Sequence, residues 1–422
     1  MPDTELADVL RAIGDLALGD DQQDAERRVV DRLNEAIPAL TSSNPAVRGS
    51  RRWLKTRRHR MIAISGLLAV TLGAGGVASA LLSHGSSTEL IYQAVATPEH
   101  PVTRASLDQT VGVMRQRLRG SAPDATVRLA GRQISVNLPG VSPTAPIALE
   151  VGANAGVDFY DWEGSVIDAA GKVAGPNAPG VTGGINAGSA DGGVSLYQAV
   201  LRAVRRPPHS YPTSSTTDGT FYAVEAAHRR VIAGPALTRS QLALQLAHAP
   251  AADKTSGVVR VLHVPVGTTV VSGEAPDGLP DRSVAGYYVL NDDPALVGSE
   301  ITDPTDAPGM HGGQPSVAFK LTASGQAAFA RVTKLLARRG ASNTPAGGQP
   351  DFQHFAIVLN DGVVSAPLID FNQYPNGITT SAGSEISSEG SATASARVLA
   401  SLLAAGPLPV ALVLVRQATE AS

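Results

Sequence analysis

The sequence predicts an α+β protein: one transmembrane helix, then a split β-α-β, ferredoxin-like base into which an α+β head is inserted. Three observations predict it. Residues 61–82 (MIAISGLLAVTLGAGGVASALL) carry neither charge nor proline over 22 positions. Residues 105–138 pass from helical to two-residue hydrophobic periodicity, giving a β-α-β unit. Near the end, a hairpin, a helix and a strand follow one another, and a Gly- and Pro-rich middle separates the two structured parts.

The apolar run is long enough to cross a bilayer core of about 30 Å as a helix rising about 1.5 Å per residue. Arg48, Arg51, Arg52, Lys55, Arg57, Arg58 and Arg60 precede it, and no Lys or Arg occurs in the 20 positions after it. This bias places the N-terminus in the cytoplasm and the rest outside, in the cell membrane as a single-pass protein. A cleaved signal peptide is the alternative, because Ala78-Ser79-Ala80 has the form that signal peptidase reads. The long preceding region and the 22-residue core argue for an uncleaved anchor.

Composition narrows the function. With no cysteine there is no disulfide, thiol nucleophile or thiolate metal site. Residues 1–47 hold ten acids and four bases, and residues 48–60 hold seven bases. The exterior part has 27 acids and 23 bases, so nothing suggests a nucleic-acid partner. Leu6, Val9, Leu10, Ile13 and Leu16, then Val29, Val30, Leu33 and Ile37, recur at helical spacing. They predict two short amphipathic helices, lying near the membrane or docking a cytoplasmic partner of residues 1–47.

Outside the membrane, a strand is expected at 90–95. A helix over 105–119 follows, with Leu107, Val111, Met114 and Leu118 on one face, then strands at 126–129 and 134–138. In the middle, 157–162 and 257–264 read as strands and 196–204 as a helix, while 171–193 and 205–219 read as surface insertions. Strands at 286–290 and 316–321 precede a helix capped by Thr322. Asn360-Asp361-Gly362 predicts a hairpin turn between 355–359 and 363–365. A last helix over 391–405, stopped by Gly406-Pro407, leads to a strand at 410–415. The expected divisions are 1–60 as cytoplasmic segment and basic linker, 61–83 as transmembrane helix and 88–150 as first half of the base. Residues 151–345 form the inserted head, 346–415 the second half of the base and 416–422 a tail.

Several segments resemble the large periplasmic domain of SecD, a protein-export membrane subunit. TRASLDQTVGVMRQRLRGSAPDATVRLAGRQISVNLPGV (103–141) resembles its opening helix and L-P-G-V strand. YYVL, ALVGSEITDP and GQPSVAFKLTASGQAAFARVT continue the likeness, and AIVLNDGVVSAPLI (356–369) is its clearest piece. Leu399 to Pro409 is similar to the family's closing signature. SecD proteins continue into further membrane helices, whereas this sequence reaches Ser422, thirteen residues past Pro409. The resemblance therefore implies a fold and a role in binding translocon components or unfolded secretory polypeptides. It does not carry over the proton-driven motor.

The family-motif residues Leu138, Pro139, Gly140, Asp361, Gly362, Ala366, Pro367, Gly406, Leu408 and Pro409 read as structural: turns, strand ends and a corner. No catalytic motif, cofactor site or metal-ligand spacing is present, so no enzymatic activity, cofactor or metal is expected. Phe159, Tyr160 and Trp162 form the densest aromatic cluster, in a chain with only 4% aromatics. They are candidates for peptide contact, or, as strand residues, for the core. Two functions follow. One is a non-enzymatic accessory module in protein export. The other is a signalling protein whose exterior domain senses the envelope and whose N-terminal segment binds a cytoplasmic regulator.

Overall fold

The computed structural model describes residues 86–97, 100–175, 193–214, 218–249, 258–273, 286–308, 315–348, 350–379, 384–387 and 393–421. The expected span at 61–82 and the helices expected within 5–37 lie outside these residues. Among the described residues no helix is long and apolar enough to cross a membrane.

Strand β1 (Ser86–Val95) leads to α1 (Arg104–Leu118), β2 (Thr126–Ala130) and β3 (Gln133–Pro139). Thr103 and Ser106 form a capping box that satisfies the first amides of α1. Its expected inner face, Leu107, Val111, Met114 and Leu118, is buried to 5% exposure or less. The alternation in β3 buries Ile134, Val136 and Leu138 completely.

The middle supplies α2 (Pro146–Glu150), β4 (Val157–Asp161), α3 (Trp162–Ser165), α4 (Leu196–Ala203) and β5 (Thr220–Glu225). Next come β6 (Arg230–Ala236), α5 (Arg239–Ala247), β7 (Val259–Val264), β8 (Thr268–Gly273), β9 (Gly286–Asn291) and β10 (Leu296–Val297). After β11 (Ile301–Pro308) and β12 (Pro315–Leu321), Thr322 accepts from the Gly325 amide and starts α6 (Ala323–Asn343). The chain ends through β13 (Gln353–Leu359), β14 (Gly362–Ser365), β15 (Leu368–Ile369), β16 (Ser384–Ser387), α7 (Thr393–Ala405) and β17 (Ala411–Ala421).

These strands build an α+β architecture of four sheets. The first is antiparallel in the order β17-β1-β3-β2, and it joins the two ends of the described chain, with Ser86 opposite Ala421. The largest sheet runs β10-β4-β13-β14-β8-β9, with β15 beside β13. Two three-stranded sheets, β11-β12-β16 and β6-β5-β7, complete the set. One hydrophobic cluster runs from Leu90, Met114 and Val136 of the first sheet to Phe159, Leu336, Phe355 and Ile357 around the largest.

The expected hairpin forms, with Asn360 and Asp361 both at positive φ (+49° and +62°), as its tight turn requires. Its place differs from expectation. It pairs with β4 and β8 in the largest sheet and not with the first, which takes only β17 from this end of the chain. Phe355 to Leu359 are buried on both faces. A strand covered on both faces belongs in a sheet interior. The middle is also more ordered than its composition suggests: β5, β6, α5 and β8 lie where the sequence predicts no element.

Candidate functional site

The motif segments converge where the first sheet meets the largest. The loop 150–156 lies between them, and three partners hold it. From α1, Arg117 donates to the carbonyls of Val151 (3.1 Å), Ala153 and Asn154 (3.2 Å). The same guanidinium donates to Gly406 O at 2.7 Å, at the corner after α7. From the hairpin turn, Asn360 accepts from the Ala155 amide (2.8 Å) and donates to Glu150 Oε2 (3.3 Å). From the corner, the Leu408 amide donates to Asn154 O (3.2 Å).

Each contact has a local cause. Arg117 falls on the buried side of α1, so its side chain enters the interior and finds carbonyls that no helix or sheet satisfies. Gly406 sits at φ +73°, the left-handed conformation that ends a helix. Gly152 is required for closeness, because a Cβ there would stand 2.2 Å from the Tyr92 ring. Leu138 and Leu408 are core residues, while Gly140 turns at φ +69° beside Val141, whose carbonyl accepts from Thr88 Oγ1 at 2.5 Å. Ala366 is buried, and Pro367 O accepts from the Phe355 amide at 3.0 Å.

The electrostatics follow from burial. Removal from water lowers the Arg117 pKa to about 10, against the opposing pull of Glu150, so the group stays charged. Burial pushes Glu150 up to about 7, although Asn360 and Arg117 favour its ionised form. A second acidic group lies along the largest sheet. Asp292 is fully buried and accepts from Tyr160 Oη at 3.1 Å and Ser214 Oγ at 2.5 Å. Asp158 is pushed up to about 7, chiefly by burial and then by the charges of Asp292 and Asp361. Asp361 rises to about 6 through burial and then Asp292. Among the described residues no set of three or more His, Cys, Asp or Glu is placed to hold a metal.

A third group fixes α6. Arg339 donates from Nη1 to Asp161 Oδ2 at 2.8 Å, and Glu163 Oε2 accepts from the His354 amide at 2.8 Å. The aromatic residues lie beneath this group. Phe159, Tyr160 and Trp162 are 2%, 1% and 0% exposed, Phe159 stacks on Phe355 and Trp162 meets Tyr288 edge-on. Of their two readings, the structure places them in the core, with no exposed ring to meet a peptide. The sequence marks Asp292 only as part of the turn Asn291-Asp292-Asp293-Pro294, and it does not single out Arg117, Glu150 or Asp158, because their partners lie far along the chain.

Residues 276–410 match the family model described as the SecDF P1 head subdomain. The chain carries a SecD-type domain. The matched stretch contains β9 and the β13–β14 hairpin, which the structure places in one sheet with β4 and β8. Solved SecDF structures are similar at low identity. SecDF in a super-membrane-facing form is 18% identical over 79% of this chain and 30% of that one, with a TM-score of 0.37. A structure titled as a membrane component SecDF that enhances protein export is 18% identical, over 78% of this chain and 98% of that one, with a TM-score of 0.34. SecDF from Thermus thermophilus, a translocon-associated membrane protein, is 18% identical over 79% of this chain and 31% of that one, with a TM-score of 0.24. The chain thus spans about 30% of the length of the first of these. No curated protein matches.

Proposed function

We propose that this chain is a non-enzymatic accessory component of protein export, held in the cell membrane by the single helix 61–82, with its SecD-like domain outside. The domain contacts translocon components or unfolded secretory polypeptides. The match of residues 276–410 to the SecDF P1 head subdomain carries this reading. The strand order β17-β1-β3-β2, built as β-α-β-β and then α-β, supports a ferredoxin-like base. In this division the base comes from 88–150 with α7 and β17, and the head, hairpin included, lies between. The adjacent outer ends of β1 and β17 suit a domain hung from one anchor, because Ser86 follows the apolar run by only a few residues.

Photocrosslinkers placed across the exterior domain in living cells test the proposal. Capture of translocon subunits or of secretory chains is expected. Capture of a cytoplasmic regulator by residues 1–47, with no export component captured, would move the function to signalling.

A further inference from the structure

We infer that the outer edge of β7 is a docking site for an extended, acidic polypeptide segment, which adds to the β6-β5-β7 sheet as a fourth strand. β7 ends that sheet, and among the described residues no strand lies against its other side. An edge strand presents a row of N–H and C=O groups at strand spacing, and only another extended backbone satisfies such a row along its length. Natural edges are usually blunted by bulges or proline. β7 pairs with β5 without a register shift from Val259 to Val264 and contains no proline.

The side chains along this edge are those of a binding strand. Val258 is 56% exposed and Val261 47%, two of the largest exposed apolar groups among the described residues. Arg260 and His263 are exposed between and beside them, and His263 stacks on Phe221 with centroids 4.6 Å apart. Arg239 lies over the same Phe221 ring at 5.4 Å. The pattern offers an incoming strand apolar contacts at some positions and positive charge at others.

Charge selects the occupant. Residues 194–264 contain eight Lys or Arg and three Asp or Glu, whereas the exterior part as a whole has more acids than bases. Of the three acids, Glu225 is already engaged by Arg230 at 2.7 Å. A second copy of this edge would bring like charges together, which strand pairing disfavours. An extended segment with acidic side chains meets the opposite field. The inference rests on the export reading only for the source of such a segment, an unfolded chain in transit.

The test uses the full-length chain in lipid nanodiscs and a fluorescent synthetic peptide of alternating Val and Glu. Binding read by anisotropy is expected in the micromolar range. N-methylation of alternate peptide nitrogens, in whichever of the two registers faces β7, should weaken it at least tenfold. Arg260→Glu, an exposed substitution, should weaken the Val/Glu peptide severalfold and strengthen a Val/Lys peptide. Equal binding of N-methylated and parent peptides overturns the site, as does indifference to Arg260→Glu or dimerisation through β7. A photocrosslinker at position 260 separates the two claims. If it captures no secretory chain while other exterior positions do, the β7 site fails and the export reading stands. Specific peptide binding at β7 without capture of any export component in cells retains the site and removes the export reading.

Discussion

Arg117 Nη2 and Gly406 O, 289 positions apart in sequence, are joined by a hydrogen bond of 2.7 Å. The same guanidinium serves three carbonyls of the loop 150–156. One side chain thus ties α1, the connection into the largest sheet and the corner after α7. Without it the Val151, Ala153 and Gly406 carbonyls lose this donor, whereas Asn154 O keeps the Leu408 amide. Arg117→Met should cost about 3 kcal/mol or more, since each stranded buried acceptor costs about 1–3 kcal/mol. Arg117→Lys should restore only part of this, because an ammonium has three donors and no planar fork. Urea unfolding of the detergent-solubilised chain measures both. A loss below about 1 kcal/mol for Arg117→Met would contradict the clamp.

Val136 tests the register of the first sheet. It lies between Leu90 and Val127 on the neighbouring strands and is 0% exposed. Val136→Asp places an unpaired carboxylate there and should destabilise by about 3–5 kcal/mol. Ser135→Asp, one position along on a half-buried site, should cost far less. Equal costs would mean that the strand is shifted by one residue.

Much of this fold was legible in the sequence because its signals are local. The buried stripe of α1, the alternation of Ile134, Val136 and Leu138, the Thr322 cap and the Asn360-Asp361 turn each depend on residues a few positions apart. Sheet membership depends on distant partners. The hairpin's own residues specify a turn, and burial of both faces of β13 against neighbours puts it beside β4. The polar junction was least legible. Arg117 reads as one arginine among several at the end of a helix, and only tertiary packing supplies its carbonyl partners. The aromatic cluster carried two readings in sequence, and burial of all three rings separates them.

Gly152 and Tyr92 form a close pair at the same junction. A Cβ at 152 would meet three ring atoms of Tyr92 between 2.2 and 2.9 Å, and the buried ring has little room to move. Gly152→Ala should therefore destabilise by about 1–3 kcal/mol, the usual range for overpacking. Tyr92→Leu in the same chain should return part of that loss, and a double-mutant cycle reads the coupling. Purely additive effects would show that the ring does not lie over residue 152.

Acidity should strengthen the fold across a defined range. Glu150 rises from 4.5 to about 7 and Asp158 from 3.8 to about 7, in both cases chiefly by burial. Between the unfolded and folded values the native state holds a proton that the unfolded chain has released. Stability is then full at and below the lower value and falls as pH climbs toward 7. Glu150→Gln and Asp158→Asn should each flatten that fall between about pH 4 and 7. Chemical denaturation at several pH values measures the slope. An unchanged slope in both variants would show that neither carboxyl holds a proton in the native state.

Trp162 gives a direct optical test of the aromatic core. The chain has two tryptophans, Trp53 and Trp162, so Trp53→Phe leaves Trp162 as the sole reporter. It is 0% exposed and meets Tyr288 edge-on with centroids 5.1 Å apart. Its emission should be blue-shifted and resist acrylamide quenching until the domain unfolds. Addition of unfolded polypeptide should leave both properties unchanged, since no face of the ring is open to a ligand. Trp162→Ala should cost about 3–5 kcal/mol, as truncation of a large buried ring does. Ready quenching in the native protein, or a spectral shift on adding polypeptide without unfolding, would return Trp162 from the core to the binding surface.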